Sequence, residues 1–373
     1  MAAKLHAAFL FAKFAMDDRQ PISPSPPFRG EREGPTPKAW EGEVGAGNRS
    51  GIPHLTPTLS TPPWLKGGGE SVLVADPSDI HRGDWVERVL PPRAEPYARL
   101  ARLDRPIGTW LLLFPGWWGI ALAGPGWPNP ALLALFALGA VVMRGAGCTL
   151  NDIADREFDG KVARTRLRPL PSGRVTVPQA VLFMLAQLAV GAGVLLCLNR
   201  PSQLLGVAVL GLIASYPFMK RITWWPQLFL GLNFNWGALI GWAAVTGSLA
   251  WPPVLLYLGG ICWTLGYDTI YAHQDKEDDA RIRVKSSALA LGPRTRPFLF
   301  AVFAAAVALW AAAGLAADLG VAFFLALAAA MLQLAWQATL VDTGDPTDCL
   351  AKFRSNRLVG WLLFAGIAAG HYV

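Results

Sequence analysis

Carboxylates gather in this chain at two places where long apolar sequence gives out. Asn151-Asp152-Ile153-Ala154-Asp155-Arg156-Glu157-Phe158-Asp159 follows one such stretch, and DTIYAHQDKEDD, Asp268 to Asp279, follows another. Ionised carboxylates beside a hydrocarbon core are costly, and those that persist mark functional cavities. On a helix Asp152, Asp155 and Asp159 share a face, as do Asp268, Tyr271 and Asp275, while Asp275 and Asp279 stand one turn apart. A face of oxygen donors that leaves positions free for water and phosphate suits Mg²⁺. If each face holds one ion, the ligand that bridges them is a diphosphate. Ionising an allylic diphosphate puts negative charge on the leaving group, which metals and Arg or Lys stabilise more in the transition state than in the ground state. The carbocation left behind needs aromatic faces, which Trp224, Trp225, Trp236 and Trp242 offer.

Basic residues flank both clusters. Arg144 lies seven residues before Asn151, on its face, and reads either as a diphosphate contact or as a counter-charge to the carboxylates. Arg164 and Arg168, in RTRLRPLPSG, have the forked geometry for phosphate, although any basic loop is also a topology signal. Lys220 and Arg221 form a similar pair, in which the planar fork of Arg221 matches an aromatic carboxylate and membrane-surface anchoring is the blander role. The Tyr271 hydroxyl would orient a metal ligand or an acceptor, and His273 would face the headgroup region. Asp278 and Glu157 lie off the strongest faces and read as solvated or ion-paired.

The elements that must carry these residues are membrane helices. Of 373 residues 53% are hydrophobic and only 16% charged, with 16 Trp, and the mean hydropathy is +0.34. That is the composition of a polytopic membrane protein. About nine apolar segments follow residue 106, near 107–124, 131–149, 178–198, 202–219, 226–246, 253–271, 297–315, 319–341 and 356–372. The net charge of +7 sits in alternate short loops, not along a soluble aromatic stripe, so it reads as topology and not as a nucleic-acid footprint. The positive-inside rule then puts both aspartate loops on the cytoplasmic side and Val373 on the other. Cys148, Cys197, Cys262 and Cys349 are too dispersed for a disulfide framework or a zinc site. Residues 1–92 are rich in Pro, Gly and Ser without sustained periodicity and are expected to be a disordered, low-complexity extension to a transmembrane domain over 93–373. Met1 to Met16 lacks the small-residue cleavage site of a secretory leader, with a transit peptide as the other reading, and the extension reads as an appended tail or an over-long start that activity does not need.

MRGAGCTLNDIADREFDGKVARTRLRPLPSG (Met143 to Gly173) and GYDTIYAHQDKEDDARIRVKSSA (Gly266 to Ala288) resemble the two aspartate motifs of the UbiA superfamily of intramembrane prenyltransferases. RLDRPIGTWLLLFP, YPFMKRITWWPQLFLGLNFNWG and FRSNRLVG fit its pattern too, so the resemblance covers everything after about residue 95. Within the superfamily the likeness is strongest to the branch that prenylates 4-hydroxybenzoate for ubiquinone. The resemblance implies an all-α bundle of nine transmembrane helices around a central cavity, in a bacterial or mitochondrial inner membrane. It implies Mg²⁺-dependent transfer of a polyprenyl group from polyprenyl diphosphate to the ring carbon ortho to the hydroxyl of 4-hydroxybenzoate. By position, Asn151, Asp152 and Asp155 or Asp159 fall on the first motif and would hold diphosphate-bound Mg²⁺. Asp275 and Asp279 fall on the second, with a further role in taking a proton from the acceptor. No protein partner is implied. Prenylation of another acceptor by a member of the same superfamily is the nearest alternative. A cation-coupled transporter is a more distant one, since its site must be reached from both membrane faces whereas these carboxylates share one rim.

Overall fold

The computed structural model describes residues 80, 83–160, 165–282 and 285–373. They belong to the second of two units, Leu73–Val373, and the first, Met1–Val72, lies outside the described residues. The described chain is helical, without strands. Two short helices, α1 (Trp85–Val89) and α2 (Glu95–Leu100), precede α3 (Ile107–Leu122), α4 (Pro130–Asp159), α5 (Val177–Leu196), α6 (Arg200–Ala208) and α7 (Leu210–Ile222). They are followed by α8 (Pro226–Asn235), α9 (Gly237–Thr246), α10 (Trp251–Ala272), a 3₁₀ turn (His273–Asp275), α11 (Lys276–Ile282) and α12 (Ser287–Leu291). The long helices α13 (Thr295–Ala316), α14 (Val321–Leu340) and α15 (Pro346–Gly370) complete the bundle.

Local chemistry sets the helix starts. Proline occupies one of the first two positions of α4, α5, α6, α8, α10 and α15, where its missing N–H costs no helical bond. Asn129 and Asp345 cap α4 and α15 with side-chain oxygens, and Thr176 with Gln179 forms a capping box on α5. Gly247 ends α9 in the left-handed conformation, φ 71°. Each apolar stretch read from the sequence is helical, but 202–219 is broken at Val209 and 226–246 at Trp236. Among the described residues five helical segments are long and apolar enough to cross a membrane by length and composition, and the protein is a multi-pass membrane protein.

The core sits among α3, α10, α13 and α15. Trp118 packs tilted against Trp263 at 5.4 Å and edge-to-face against Trp310 at 5.7 Å. Its indole donates to Gly360 O (2.9 Å), and that of Trp263 donates to Asn356 Oδ1 (2.7 Å), so the ring nitrogens are satisfied inside an apolar packing. Helix α3 lies against α9 on glycines: a Cβ on Gly119 or Gly241 would strike the backbone of the other helix, which small residues alone avoid. At one end of the bundle His371 Nε2 reaches Ala121 O (2.8 Å), tying the C-terminus of α15 to that of α3.

The boundary expected at residue 92 moves. From residue 83 onward the chain belongs with the helical body, because the buried Arg99 gathers Asp84 (3.0 Å), Glu87 (2.9 Å) and Glu95 (2.8 Å) around its guanidinium. Arg174 grips the other side of Glu95 at 2.6 Å, and this bond, with Arg99, holds the Glu95 carboxyl below its ordinary range despite partial burial. Deleting residues 1–79 should therefore leave activity and thermal stability intact. Deleting 1–90 removes two of the partners of a buried cation and should lower the melting temperature by several degrees, on the order of 1–3 kcal/mol. Equal melting curves for the two truncations would contradict the staple.

Candidate active site

Helix length positions the first carboxylate cluster. Thirty residues of α4 run about 45 Å, well beyond the ~30 Å hydrocarbon core, so the last two turns emerge from it carrying Asp152, Asp155 and Asp159 on one face. Asp152 is fully buried. Its Oδ1 accepts from Arg102 (2.6 Å) and Arg168 (3.4 Å), while its Oδ2 is buried with no hydrogen-bond partner. Arg168 also donates to Asp159 Oδ2 at 2.9 Å and so bridges the two outer members of the face. Arg221, at the end of α7, comes within 3.8 Å of Asp155 and lies over the Phe158 ring at 5.4 Å. Three carboxylates thus face three guanidinium groups drawn from the α2–α3 turn, the 165–176 loop and α7.

The stretch that follows the second cluster reaches the same end of α7. Lys285 donates to Ile222 O (3.0 Å) and lies over Trp224. Asp155 of the first motif and Asp268 of the second both lie within electrostatic reach of Tyr216 on α7, so the two motifs approach the same helix. The single helical face expected through Asp268, Tyr271 and Asp275 is not kept. Helix α10 ends at Ala272, and His273–Asp275 is a 3₁₀ turn that shifts the phase of Asp275 and Asp279 relative to Asp268. His273 is buried and bonds Thr295 Oγ1 at 3.1 Å, fastening that turn to the start of α13, so it does not face the headgroups.

About 10 Å along α4 from Asn151, toward the membrane centre, lies Arg144. Its guanidinium sits over the Phe234 ring at 5.4 Å. Its electrostatic neighbours are Cys148, Tyr216, Tyr271 and Tyr267, and it is the cation nearest in effect to Asp268. Its Nε is buried without a hydrogen-bond partner. Only glycine at position 108 leaves room for it, since a Cβ there would lie 2.6 Å from Arg144 Nη2. Tyr271 packs against Phe353 at 4.5 Å. The structure thus separates a charged rim from an arginine deep in an aromatic chamber.

Arg164 and the side chain of Lys220 lie outside the described residues. Arg221 stands at the rim beside Asp155 and is half-exposed. Arg102 escaped the sequence reading of the site. Its partner Asp152 is fifty residues away, so no local spacing marks it. The remaining trace is its left-handed backbone, φ 56°, a strained state for arginine that this contact helps to hold. Gly145 and Gly191 serve close helix packing, against Gln187 and Met143, whereas Gly147 faces open space.

Among the described residues no three Asp, Glu, His or Cys side chains converge closely enough to hold a metal alone. The orphaned Oδ2 of Asp152, in an oxygen-only donor set, fits an ion that brings phosphate and water ligands with it, as Mg²⁺ does. The same set does not fit zinc, which prefers a closed N/S shell.

A helical membrane bundle with two acidic helix ends and a ring of arginines on one side defines a membrane-embedded site for an anionic substrate. The chain belongs to the UbiA prenyltransferase family, whose model matches residues 112–367. It is 51% identical over 294 residues to 4-hydroxybenzoate polyprenyltransferase, mitochondrial, of Arabidopsis thaliana, covering 78% of this chain and 72% of that protein. The protein of the same name from Bos taurus is 44% identical over 355 residues, covering 88% of this chain and 94% of its own. Among solved structures, the apo UbiA homolog of Aeropyrum pernix K1 superposes with a TM-score of 0.61 at 29% identity, over 69% of this chain and 96% of that one. The UbiA homolog of Archaeoglobus fulgidus bound to GPP and Mg²⁺ shares the fold, with a TM-score of 0.57 at 20% identity over 74% of this chain and 100% of that one.

Proposed function

We propose that this chain transfers a polyprenyl group from polyprenyl diphosphate to the ring carbon ortho to the hydroxyl of 4-hydroxybenzoate, releasing diphosphate, in ubiquinone synthesis. The observation that carries the reading is the layering of the site: carboxylates matched by Arg102, Arg168 and Arg221 at the rim, with Arg144 and aromatic rings beneath. The close relatives named for this reaction support it.

The donor's diphosphate lies at the rim, where the arginines exchange part of their hold on Asp152, Asp155 and Asp159 for phosphate oxygens. Asn151, half-buried beside Asp152, and Arg164 join this layer by position. Asp152, Asp155 and Asp159, with Asp275 and Asp279, would hold Mg²⁺, which when bound would supply positive charge to the leaving diphosphate. The breaking C–O bond sends its electron pair with the diphosphate. The allylic cation that remains is sheltered by the rings of Phe234, Tyr216 and Tyr271.

Beneath it, Arg144 takes the benzoate carboxylate through its fork, the role first read for Arg221. This sets the phenol ring with its ortho carbon toward the cation. That carbon forms the new bond, and the ring proton passes to a carboxylate of the second motif. Gly108→Ala pushes Arg144 from its seat without disturbing a helix. It should raise KM for 4-hydroxybenzoate about tenfold while leaving the melting temperature and donor KM unchanged. An unchanged acceptor KM would detach Arg144 from the acceptor.

We assign the protein to an inner membrane, bacterial or mitochondrial, with the acidic motifs on the cytoplasmic or matrix side, a reading that the loop charges support. The experiment that tests the metal is chelation. EDTA should silence prenyl transfer and added Mg²⁺ should restore it, and turnover that persists in EDTA would reject metal assistance.

A further inference from the structure

Neither arginine that bonds Asp152 belongs to α4: Arg102 sits just past α2 and Arg168 in the 165–176 loop. Helix α2 ends in a Schellman turn, in which Leu103 N donates to Ala98 O (3.0 Å) and Arg102 N to Arg99 O (3.1 Å). Arg102, at φ 56°, occupies the left-handed position that glycine usually fills. A side chain is disfavoured there, and this one carries the guanidinium, whose Nη2 reaches Asp152 while its Nη1 donates to Arg99 O (3.0 Å). The turn is bracketed by the acid cage of Arg99. Besides Asp84, Glu87 and Glu95, that guanidinium comes within 3.8 Å of Asp104, on the far side of Arg102. Residues before and after the left-handed position are thus tied to one buried cation.

Glu95 carries the connection to the second arginine. Its Oε1 accepts from Arg99 Nε (2.8 Å), and Arg174 donates to both of its oxygens, at 2.6 and 3.2 Å. Arg174 lies in the loop that bears Arg168. The loop is folded on itself through Val175 N to Pro169 O (3.0 Å) and Ser172 Oγ to Arg168 O (2.7 Å), so a grip on Arg174 also restrains Arg168. An apolar cluster apart from the main core backs the same junction. Leu100 of α2, Val175 of the loop and Ala180 of α5 are buried in it, with Tyr97, Phe183 and Ile153 packed against them, the last adjoining Asp152 on α4.

We propose that Glu95, gripped by Arg99 and Arg174, is a positioning residue of the donor site: it locks the Arg102 turn to the Arg168 loop, so that both guanidinium groups stand at Asp152 before a diphosphate arrives. The inference rests on the reading of the rim as a diphosphate site. Charges fixed beforehand need no rearrangement when the anion binds. Arginines left to swivel would have to be ordered by the ligand, which weakens its binding. Glu95 acts only through its two arginine partners, and its own carboxylate would repel the diphosphate.

That repulsion supplies the test, made on the full chain in nanodiscs titrated calorimetrically with inorganic diphosphate in the presence of Mg²⁺. Glu95→Gln removes a negative charge, so simple electrostatics predicts tighter anion binding. The lock predicts the reverse: Kd for diphosphate and KM for the polyprenyl donor should both rise about fivefold to tenfold, with KM for 4-hydroxybenzoate within about twofold. Arg174→Lys, at a half-exposed position, keeps the charge and loses the fork, and should weaken diphosphate binding about threefold. A purely structural role would move the melting temperature and leave the Kd alone. Diphosphate binding that is unchanged or tighter in Glu95→Gln, or unchanged in Arg174→Lys should the first variant not fold, would overturn the proposal. If the unmodified protein binds diphosphate but forms no product from any donor, the prenyl-transfer reading has failed, and the lock stands or falls on the same two variants.

Discussion

Asp152→Asn is expected to reduce turnover by about a thousandfold or more, the largest effect of any single change in this protein. The substitution keeps shape and volume and removes one charge. In the folded chain that charge is fully buried and accepts from Arg102 at 2.6 Å, while its second oxygen has no protein partner. Asparagine retains an acceptor for Arg102 but offers a metal a much weaker ligand, so the diphosphate loses the positive charge that its departure needs. Two nearby arginines also lose their counter-charge, which costs some stability. The two roles separate in measurement. A site role predicts collapse of kcat with the protein still monodisperse, and an ion-pair role alone predicts a lower melting temperature with kcat retained.

Arg144→Ala is expected to cut kcat/KM for 4-hydroxybenzoate by about a hundredfold, with donor KM within about twofold. A charge-assisted fork onto a carboxylate is among the stronger polar contacts, and in this aromatic chamber no water replaces it easily. Discrimination is the sharper readout. The unmodified protein should reject the methyl ester of the acceptor, and the variant should treat acid and ester nearly alike. Retained preference for the free acid would return the carboxylate to another cation, Arg221 first.

The first acidic face was legible in the sequence because α4 is one uninterrupted helix, and a spacing of three and four residues becomes geometry without further information. The second was legible only as composition. A 3₁₀ turn at His273–Asp275 resets the phase, and the contact that fastens it, His273 to Thr295, links residues too far apart to register locally. Arg102 was hidden for the same reason, being joined to Asp152 only by tertiary packing. Arg221 was read as an acceptor ligand from its chemistry, yet its address beside Asp155 depends on where α7 ends against α4. The extension was placed too far along the chain because Asp84 and Glu87 find their partner, Arg99, only once α1 folds back.

One measurement bears on the whole account: purified protein in nanodiscs, given Mg²⁺, 4-hydroxybenzoate and a polyprenyl diphosphate, with products identified by mass and diphosphate counted. The expected result is one carbon-prenylated hydroxybenzoate for each diphosphate released, and no release without the phenolic acid. Diphosphate freed in the absence of acceptor, or a prenyl group found on oxygen, would contradict it.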